Sequence, residues 1–77
     1  MPTIIKINGY RFFFYTNEHL PIHIHVEREG KVAKYNLEPI ELVKSSKYNA
    51  AELRQIRKII EENVELFKTK WNEYFNN

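Results

Sequence analysis

Three histidines fall within nine residues, in the segment EHLPIHIHV that runs from Glu18 to Val26. His23 and His25 alternate with branched aliphatic residues, and this period of two is typical of a β-strand with one buried face. The alternation directs the aliphatic side chains into a core and places His23, His25 and Glu27 together on the opposite face. Two imidazoles beside a carboxylate can bind a metal ion, transfer protons or contact a partner.

The first hypothesis is a metal site. Imidazole and carboxylate groups are common ligands of divalent transition metals, so His23, His25 and Glu27 would bind such an ion from one strand, with His19 completing the set. Lys34, predicted beside His25, opposes this hypothesis, since a cation near the ion is unfavourable unless an anion also binds. The alternative is that the histidines only pack against residues of the neighbouring strands.

The second hypothesis is metal-independent RNA cleavage, with His23 and His25 as the catalytic base and acid. Neighbouring cations would stabilise the charge on the phosphoryl oxygens, and aromatic rings would stack on bases. The side chains predicted to bind RNA on this face are Lys6, Arg11, Phe13, Tyr15 and Lys34. The plainer interpretation is a solvated cationic rim, with the aromatic rings in a second small core.

The third hypothesis is a protein-interaction module. A sheet with aromatic residues on both faces and a single helix leaves apolar surface exposed, and such surface often marks a contact site. Trp71, near the end of the predicted helix, would anchor a partner, because tryptophan is frequent among residues that dominate binding. The alternative is that Trp71 closes the domain's own core.

The first predicted hairpin turns at Asn8-Gly9, the strongest short hairpin signal, because both residues tolerate positive φ. A two-residue turn predicts the cross-strand pairs of strands 3–7 and 10–15. The predicted pairs are Ile7 with Tyr10, Ile5 with Phe12 and Thr3 with Phe14 on one face, and Lys6 with Arg11 and Ile4 with Phe13 on the other.

A second hairpin is predicted around Glu29-Gly30, joining a strand over residues 22–28 to a strand over residues 31–37. The predicted inner pairs are Ile24 with Tyr35 and Val26 with Ala33, and the outer pairs are His25 with Lys34 and His23 with Asn36. After Pro39, residues 40–43 form a short edge strand, where proline is tolerated.

A long C-terminal helix follows. Asn49 and Glu52 form a variant of the capping box, and Tyr48 with Leu53 fits a hydrophobic staple. Apolar residues then recur every three or four positions, which predicts one apolar face along a helix of roughly 25 residues, about 38 Å long. The members of this stripe are Leu53, Ile56, Ile60, Val64, Phe67, Trp71 and Tyr74 or Phe75. Such a helix is longer than a compact domain of this size, so part of the stripe is expected to overhang.

The composition indicates one small folded domain over residues 1–77, with 43% hydrophobic and 29% charged residues. The absence of cysteine excludes disulfides and thiolate metal sites. No run approaches the ~20 apolar residues of a membrane span, and we expect a cytoplasmic protein without membrane contact. A net charge of +2 is too small to imply nucleic acid by itself. The fold class that follows is α+β: a four- to five-stranded, mostly antiparallel sheet from two hairpins, and one long C-terminal helix.

Three motifs carry a resemblance to a known family. They are the opening P-T-I hairpin with GYRFFFY over residues 9–15, the segment EHLPIHIHV, and WNEYF over residues 71–75. With these motifs the chain resembles the DUF4160 family of small bacterial proteins along nearly its whole length. The matching positions are Pro2, Thr3, Ile4, Gly9 to Tyr15, Glu18, His19, Pro21, His23, Ile24, His25, Val26, Trp71, Glu73, Tyr74 and Phe75. Asn72 stands where many members have histidine.

The resemblance implies a partner, because genes of this family often lie beside one encoding a DUF2442 protein and have been proposed as toxin-antitoxin-like pairs. The favoured hypothesis is therefore an interaction module that binds the neighbouring-gene product or forms a homo-oligomer. Its functional surface would comprise His19, His23, His25, Arg11 and Lys34. The alternatives are the ribonuclease and the metal-binding protein described above.

Overall fold

A computed structural model describes residues 3–15 and 20–75. Within these residues five strands precede one helix: β1 (Thr3–Ile7), β2 (Tyr10–Phe13), β3 (His23–Arg28), β4 (Lys31–Leu37), β5 (Ile40–Ser46) and α1 (Ala50–Phe75). Neighbouring strands are antiparallel, and their order in the sheet is the order in the chain. The predicted fold, an antiparallel sheet followed by one long C-terminal helix, is confirmed.

The turn between β1 and β2 is the predicted one. Asn8 has a φ of 53° and Gly9 a φ of 81°, which are the left-handed conformations that a type I′ hairpin turn requires. A Cβ at residue 9 would lie 3.2 Å from Arg28 Cδ, so this glycine also leaves room for a neighbouring strand. The three predicted pairs nearest the turn, Ile7 with Tyr10, Lys6 with Arg11 and Ile5 with Phe12, are confirmed.

Farther from the turn the predicted register is wrong. Thr3 pairs with Phe13 rather than Phe14, because the register shifts between Thr3 and Ile5 and makes Ile4 an additional residue. The shift has a packing reason. It allows Ile4 and Ile5 both to pack against the core, whereas strict alternation would turn Ile4 to the other face.

The second hairpin has the predicted turn and pairing, and β3 begins at His23, one residue later than predicted. Glu29 and Gly30 have φ values of 53° and 80°, as in the first turn. All four predicted pairs are present: His23 with Asn36, Ile24 with Tyr35, His25 with Lys34 and Val26 with Ala33. The inner pairs are buried, so burial and turn geometry favour the same register.

The edge strand β5 is longer than predicted. It continues past Val43 to Ser46, and its residues from Glu41 onward are exposed. A second register shift makes Val43 the additional residue and sets Lys44 opposite Lys34. An edge strand is stabilised by backbone hydrogen bonds to its neighbour rather than by burial. The strand therefore continues through the polar residues after Val43.

The helix packs across the inner face of the sheet, as predicted. Phe12 stacks on Phe67 with ring centroids 5.4 Å apart, and Phe14 meets Trp71 edge-on at 5.3 Å. The helix residues in the core are Ile56, Ile59, Ile60, Phe67 and Trp71, of which Ile59 was not in the predicted stripe. The overhang is limited to the last turn, where Tyr74 is half exposed.

The predicted capping box begins the helix. The side-chain oxygen of Asn49 accepts a hydrogen bond from the Glu52 amide at 2.8 Å, and the Glu52 carboxylate accepts one from the Asn49 amide at 3.0 Å. The other carboxylate oxygen of Glu52 binds Arg28 at 3.2 Å and Lys31 at 3.0 Å. The hydrogen bond from the backbone N–H of Asn49 is the largest cause that lowers the pKa of Glu52, and the hydrogen bond from the Lys31 ammonium is the second. One carboxylate thus joins the helix start to β3 and β4.

Glu52→Gln is expected to lower the melting temperature at neutral pH and to flatten its acid dependence. A lowered pKa in the folded state means that the stabilisation is complete above the ordinary value of 4.5 and is lost as the pH falls through the folded-state value. Thermal melts followed by circular dichroism from neutral to acidic pH measure this. Glu62→Gln, on the exposed helix face, is the matched control. Equal acid dependence in the two variants would contradict the assignment.

Two tyrosine hydroxyls fasten the helix start to the sheet. Tyr35 donates a hydrogen bond to the Leu53 carbonyl at 3.1 Å, and Tyr48 donates one to the Lys31 carbonyl at 3.0 Å. Burial is the main cause that raises the pKa of Tyr48 to about 12, and the neighbouring Tyr10 is the second. Both hydroxyls therefore stay protonated at neutral pH and remain hydrogen-bond donors.

Candidate functional site

The face of the sheet opposite α1, called the open face below, carries most of the residues predicted to be functional. Strand pairing places Phe13, His25, Lys34 and Lys44 side by side across β2, β3, β4 and β5. Arg11 and Glu27 lie on one side of this central row. His23 and Asn36 lie on the other side. The α1 helix, the one helix of residues 3–15 and 20–75, packs against the other face.

His23 and His25 share the open face, as their alternation predicts. Their ring centroids are 5.0 Å apart and their planes are nearly perpendicular. The two rings differ in environment, however. His25 is partly buried, whereas His23 is only 3% exposed.

His23 was included in the predicted functional surface, but the structure buries its side chain. The Trp71 ring lies 5.0 Å from its ring, because the last turns of α1 reach the start of β3. Nδ1 of His23 lies 2.8 Å from the Pro21 carbonyl oxygen. A carbonyl can only accept a hydrogen bond, so Nδ1 of His23 carries a proton and donates it to Pro21.

His25 lies within an aromatic cluster on the open face. Its ring stacks on Phe13 at 5.4 Å and meets Tyr15 edge-on at 4.6 Å. Phe13 is 3% exposed, because the Arg11 guanidinium covers it at 4.3 Å. Tyr15, in contrast, is 49% exposed. Of the predicted base-stacking residues, Tyr15 is thus accessible, and Phe13 belongs to the second small core that was its alternative interpretation.

A groove of about 270 Å³ runs beside this cluster. Its polar and aromatic walls are formed by Tyr15, His25, Lys34, Lys44, Ser45 and Ser46. The groove lining thus combines these polar and aromatic residues with the apolar residues Phe13, Val26, Val32 and Ala33. Such a combination suits a ligand that carries negative charge.

Lys34 and Lys44 lie directly opposite each other, which is unfavourable for like charges unless an anion or solvent relieves them. Within the described part of the chain neither ammonium has an acidic partner. Sequence reasoning missed Lys44, because strand β5 was expected to end at Val43. A two-residue turn before Ile40 would set Val43 opposite Lys34, and only the bulge brings Lys44 there.

Lys6 and Arg11 lie opposite each other, as predicted. The repulsion between these like charges is reduced by an acidic residue of the same chain. Arg11 Nε lies 3.4 Å from a carboxylate oxygen of Glu27, the residue opposite it on β3. Arg11 also donates a hydrogen bond to the Thr3 hydroxyl at 3.3 Å. The guanidinium is therefore engaged in the fold, and Lys6 remains an exposed cation on β1.

Glu27, one of the predicted metal ligands, is already paired with Arg11. Glu27 accepts hydrogen bonds from Arg11 and from the Gly30 amide, so both of its carboxylate oxygens are engaged within the fold. Within residues 3–15 and 20–75 no three acidic or histidine side chains are grouped so that they could hold a metal ion. His19 lies outside the described residues, as does Glu18.

Trp71 lies in the core rather than on the surface. It is 3% exposed and packs on Phe14, Phe75 and His23. This position agrees with the alternative, closure of the domain's own core, and a contact of Trp71 with a partner stays a prediction.

Within residues 3–15 and 20–75, the fold is a small α+β domain whose one helix covers one side of the sheet. The chain belongs to the DUF4160 family, whose model, described as a domain of unknown function, matches residues 9–72. The resemblance inferred from the motifs is thereby confirmed. No curated protein and no solved structure matches the chain significantly. Within the described residues, no helix has the length and apolar character that crossing a membrane requires.

Proposed function

We propose that this chain is a small bacterial interaction module that acts in the cytoplasm as one member of a toxin-antitoxin-like pair. The other member is the DUF2442-like product of a neighbouring gene, as the family resemblance implies. The partner binds the open face, with its contacts centred on the groove beside His25 and Lys34. His19, which the sequence predicts to be part of this surface, lies outside the described residues.

The observation that carries this proposal is the Lys34 and Lys44 pair in the wall of a groove. A domain that gained only stability from this face would gain more from an opposite charge at one of the two positions. A partner carboxylate between the two ammonium groups would relieve the repulsion. The exposed Tyr15 ring and the apolar residues that line the groove supply the contact area that charge alone lacks.

Binding is better supported than catalysis by the two histidines. An acid and a base that act on one phosphate must both reach it. His23 is 3% exposed beneath Trp71, so His25 is the imidazole beside the groove. His25 would contribute a hydrogen bond or a stacking contact to a bound partner.

Lys34→Glu is expected to weaken binding of the neighbouring-gene product by about tenfold or more, because it replaces attraction with repulsion inside the contact. Isothermal titration calorimetry of the purified chain against its partner measures the affinity. Repeating the titration at higher salt should weaken the wild-type complex more than the variant complex, since salt screens charge attraction.

Lys58→Glu is the matched control, because it makes the same change of charge on the exposed polar face of α1. Its affinity for the partner should remain that of the wild type. An equal loss in both variants would mean that net charge, rather than the open face, governs binding. Failure of the wild-type chain to bind the neighbouring-gene product would remove the proposal.

The alternative is a His-dependent ribonuclease whose groove binds RNA. The exposed Tyr15 ring favours it, because exposed aromatic rings stack on bases, and Lys34 with Lys44 would contact phosphates. Incubating the chain with labelled single-stranded RNA, with and without zinc or nickel, tests this function and the metal alternative together. Cleavage by the wild type would favour the enzyme over the interaction module.

A further inference from the structure

Among the strands of the described residues, β5 has the most exposed large apolar side chains. Leu42 is 40% exposed and Val43 is 46% exposed, and both lie at the centre of the strand. Among residues 3–15 and 20–75, β5 pairs with β4 alone, so the other side of its backbone offers hydrogen-bonding groups to a further strand.

Two charges flank this apolar centre. Glu41 pairs with Asn36 and Lys44 pairs with Lys34, and Asn36 and Lys34 are two residues apart on one strand. Residues two apart on a strand share a face, so Glu41 and Lys44 both lie on the open face. In a regular strand residues three apart would lie on opposite faces. The bulge at Val43 is what aligns them.

We propose that a second copy of this chain pairs with β5 in an antiparallel arrangement around a twofold axis between Leu42 and Val43. In that register Glu41 lies opposite Lys44 of the second copy, and Leu42 lies opposite Val43. By symmetry each contact occurs twice, and the two sheets form one continuous sheet of ten strands.

The proposed dimer also reduces the repulsion between two like charges within one chain. Lys44 lies beside Lys34 in the central row, and within the described residues neither has an acidic partner. Glu41 of the second copy would extend that row and place a carboxylate next to Lys44. Opposite charges directly across two strands are favourable, whereas like charges are not.

A bulge and a lysine on an edge strand also occur in proteins that avoid edge pairing. Such protection places charge where a second strand would approach. In β5 the centre is apolar, and the charges lie on either side with opposite signs at equal distances from the axis. That self-complementary order favours a second copy over a partner of different sequence.

Charge reversal tests the register. Glu41→Lys sets lysine opposite Lys44, and Lys44→Glu sets glutamate opposite Glu41, so each single variant should weaken dimerisation by about tenfold. The double variant restores opposite charges and should dimerise like the wild type. Sedimentation equilibrium of the full-length chain alone, up to high micromolar concentration, measures each association.

Mixing the two single variants provides an independent test. The lysine introduced by Glu41→Lys then faces the glutamate introduced by Lys44→Glu, and the unchanged Lys44 of the first variant faces the unchanged Glu41 of the second. Both cross-strand pairs become favourable, so the mixture should form a heterodimer, whereas each variant alone should associate only weakly.

Circular dichroism melts establish that every variant is folded, which the exposure of both positions favours. A wild type that stays monomeric at every concentration, single variants that dimerise unchanged, or open-ended polymers would each overturn the inference. These measurements need no partner protein, so they are independent of the proposed function.

Discussion

Trp71→Ala is expected to destabilise the domain by about 3 to 5 kcal/mol, because it empties a large buried site. The indole is 3% exposed and lies 5.3 Å from the Phe14 ring, 4.6 Å from Phe75 and 5.0 Å from His23. A domain of this size has a free energy of unfolding of only about 4 to 12 kcal/mol. The variant should therefore be marginally folded at room temperature.

Urea denaturation followed by far-ultraviolet circular dichroism measures this loss. Fluorescence is unsuitable, since Trp71 is the single tryptophan of the chain. Tyr74→Ala is the control on the same helix turn, because half of its side chain is exposed and less area is lost. Its cost should be below about 1.5 kcal/mol. A surface-anchor role would instead leave Trp71→Ala as stable as this control.

His23→Ala is expected to cost about 2 to 4 kcal/mol. The variant leaves a cavity beside Trp71 and removes the hydrogen bond to the Pro21 carbonyl. His25→Ala, on the same strand and face, should cost about 1 kcal/mol, since its partly buried ring loses mainly stacking contacts. Urea denaturation at neutral pH compares the two variants directly.

The same pair of variants separates structure from function. On the interaction proposal, His25→Ala should weaken partner binding while His23→Ala should mainly lower stability. A ribonuclease would lose activity in both, and would lose it while His23→Ala was still folded. Equal stability of the two variants would contradict the buried environment of His23.

Several elements of this fold could be predicted because their causes are local. Asn8-Gly9 and Glu29-Gly30 adopt positive φ within two residues, and the capping box of Asn49 and Glu52 closes within one helical turn. The alternation HIHVER and the spacing of the helix stripe likewise depend on neighbours in the chain. Each agrees with the structure in the described residues, except that the predicted stripe lacked Ile59.

The errors arose where distant residues compete for the core. The bulge in β1 follows from the burial of Ile4 and Ile5 together, and the bulge in β5 sets Lys44 opposite Lys34, where a regular hairpin would set Val43. The Arg11 and Glu27 pair depends on how β2 aligns with β3 across a loop, which no turn signal specifies. These contacts altered the candidate site more than any local error did.

The sequence by itself determined the elements, their turns and the shared face of His23 and His25, because dihedral preferences and periodicity act over a few residues. The tertiary structure alone decided which imidazole is accessible and which cations are already paired. Burial and charge pairing depend on where α1 ends and on how strands distant in the chain align. For that reason the motif indicates a face of the sheet, and only the packed domain shows that His25, Lys34 and Lys44 form its groove.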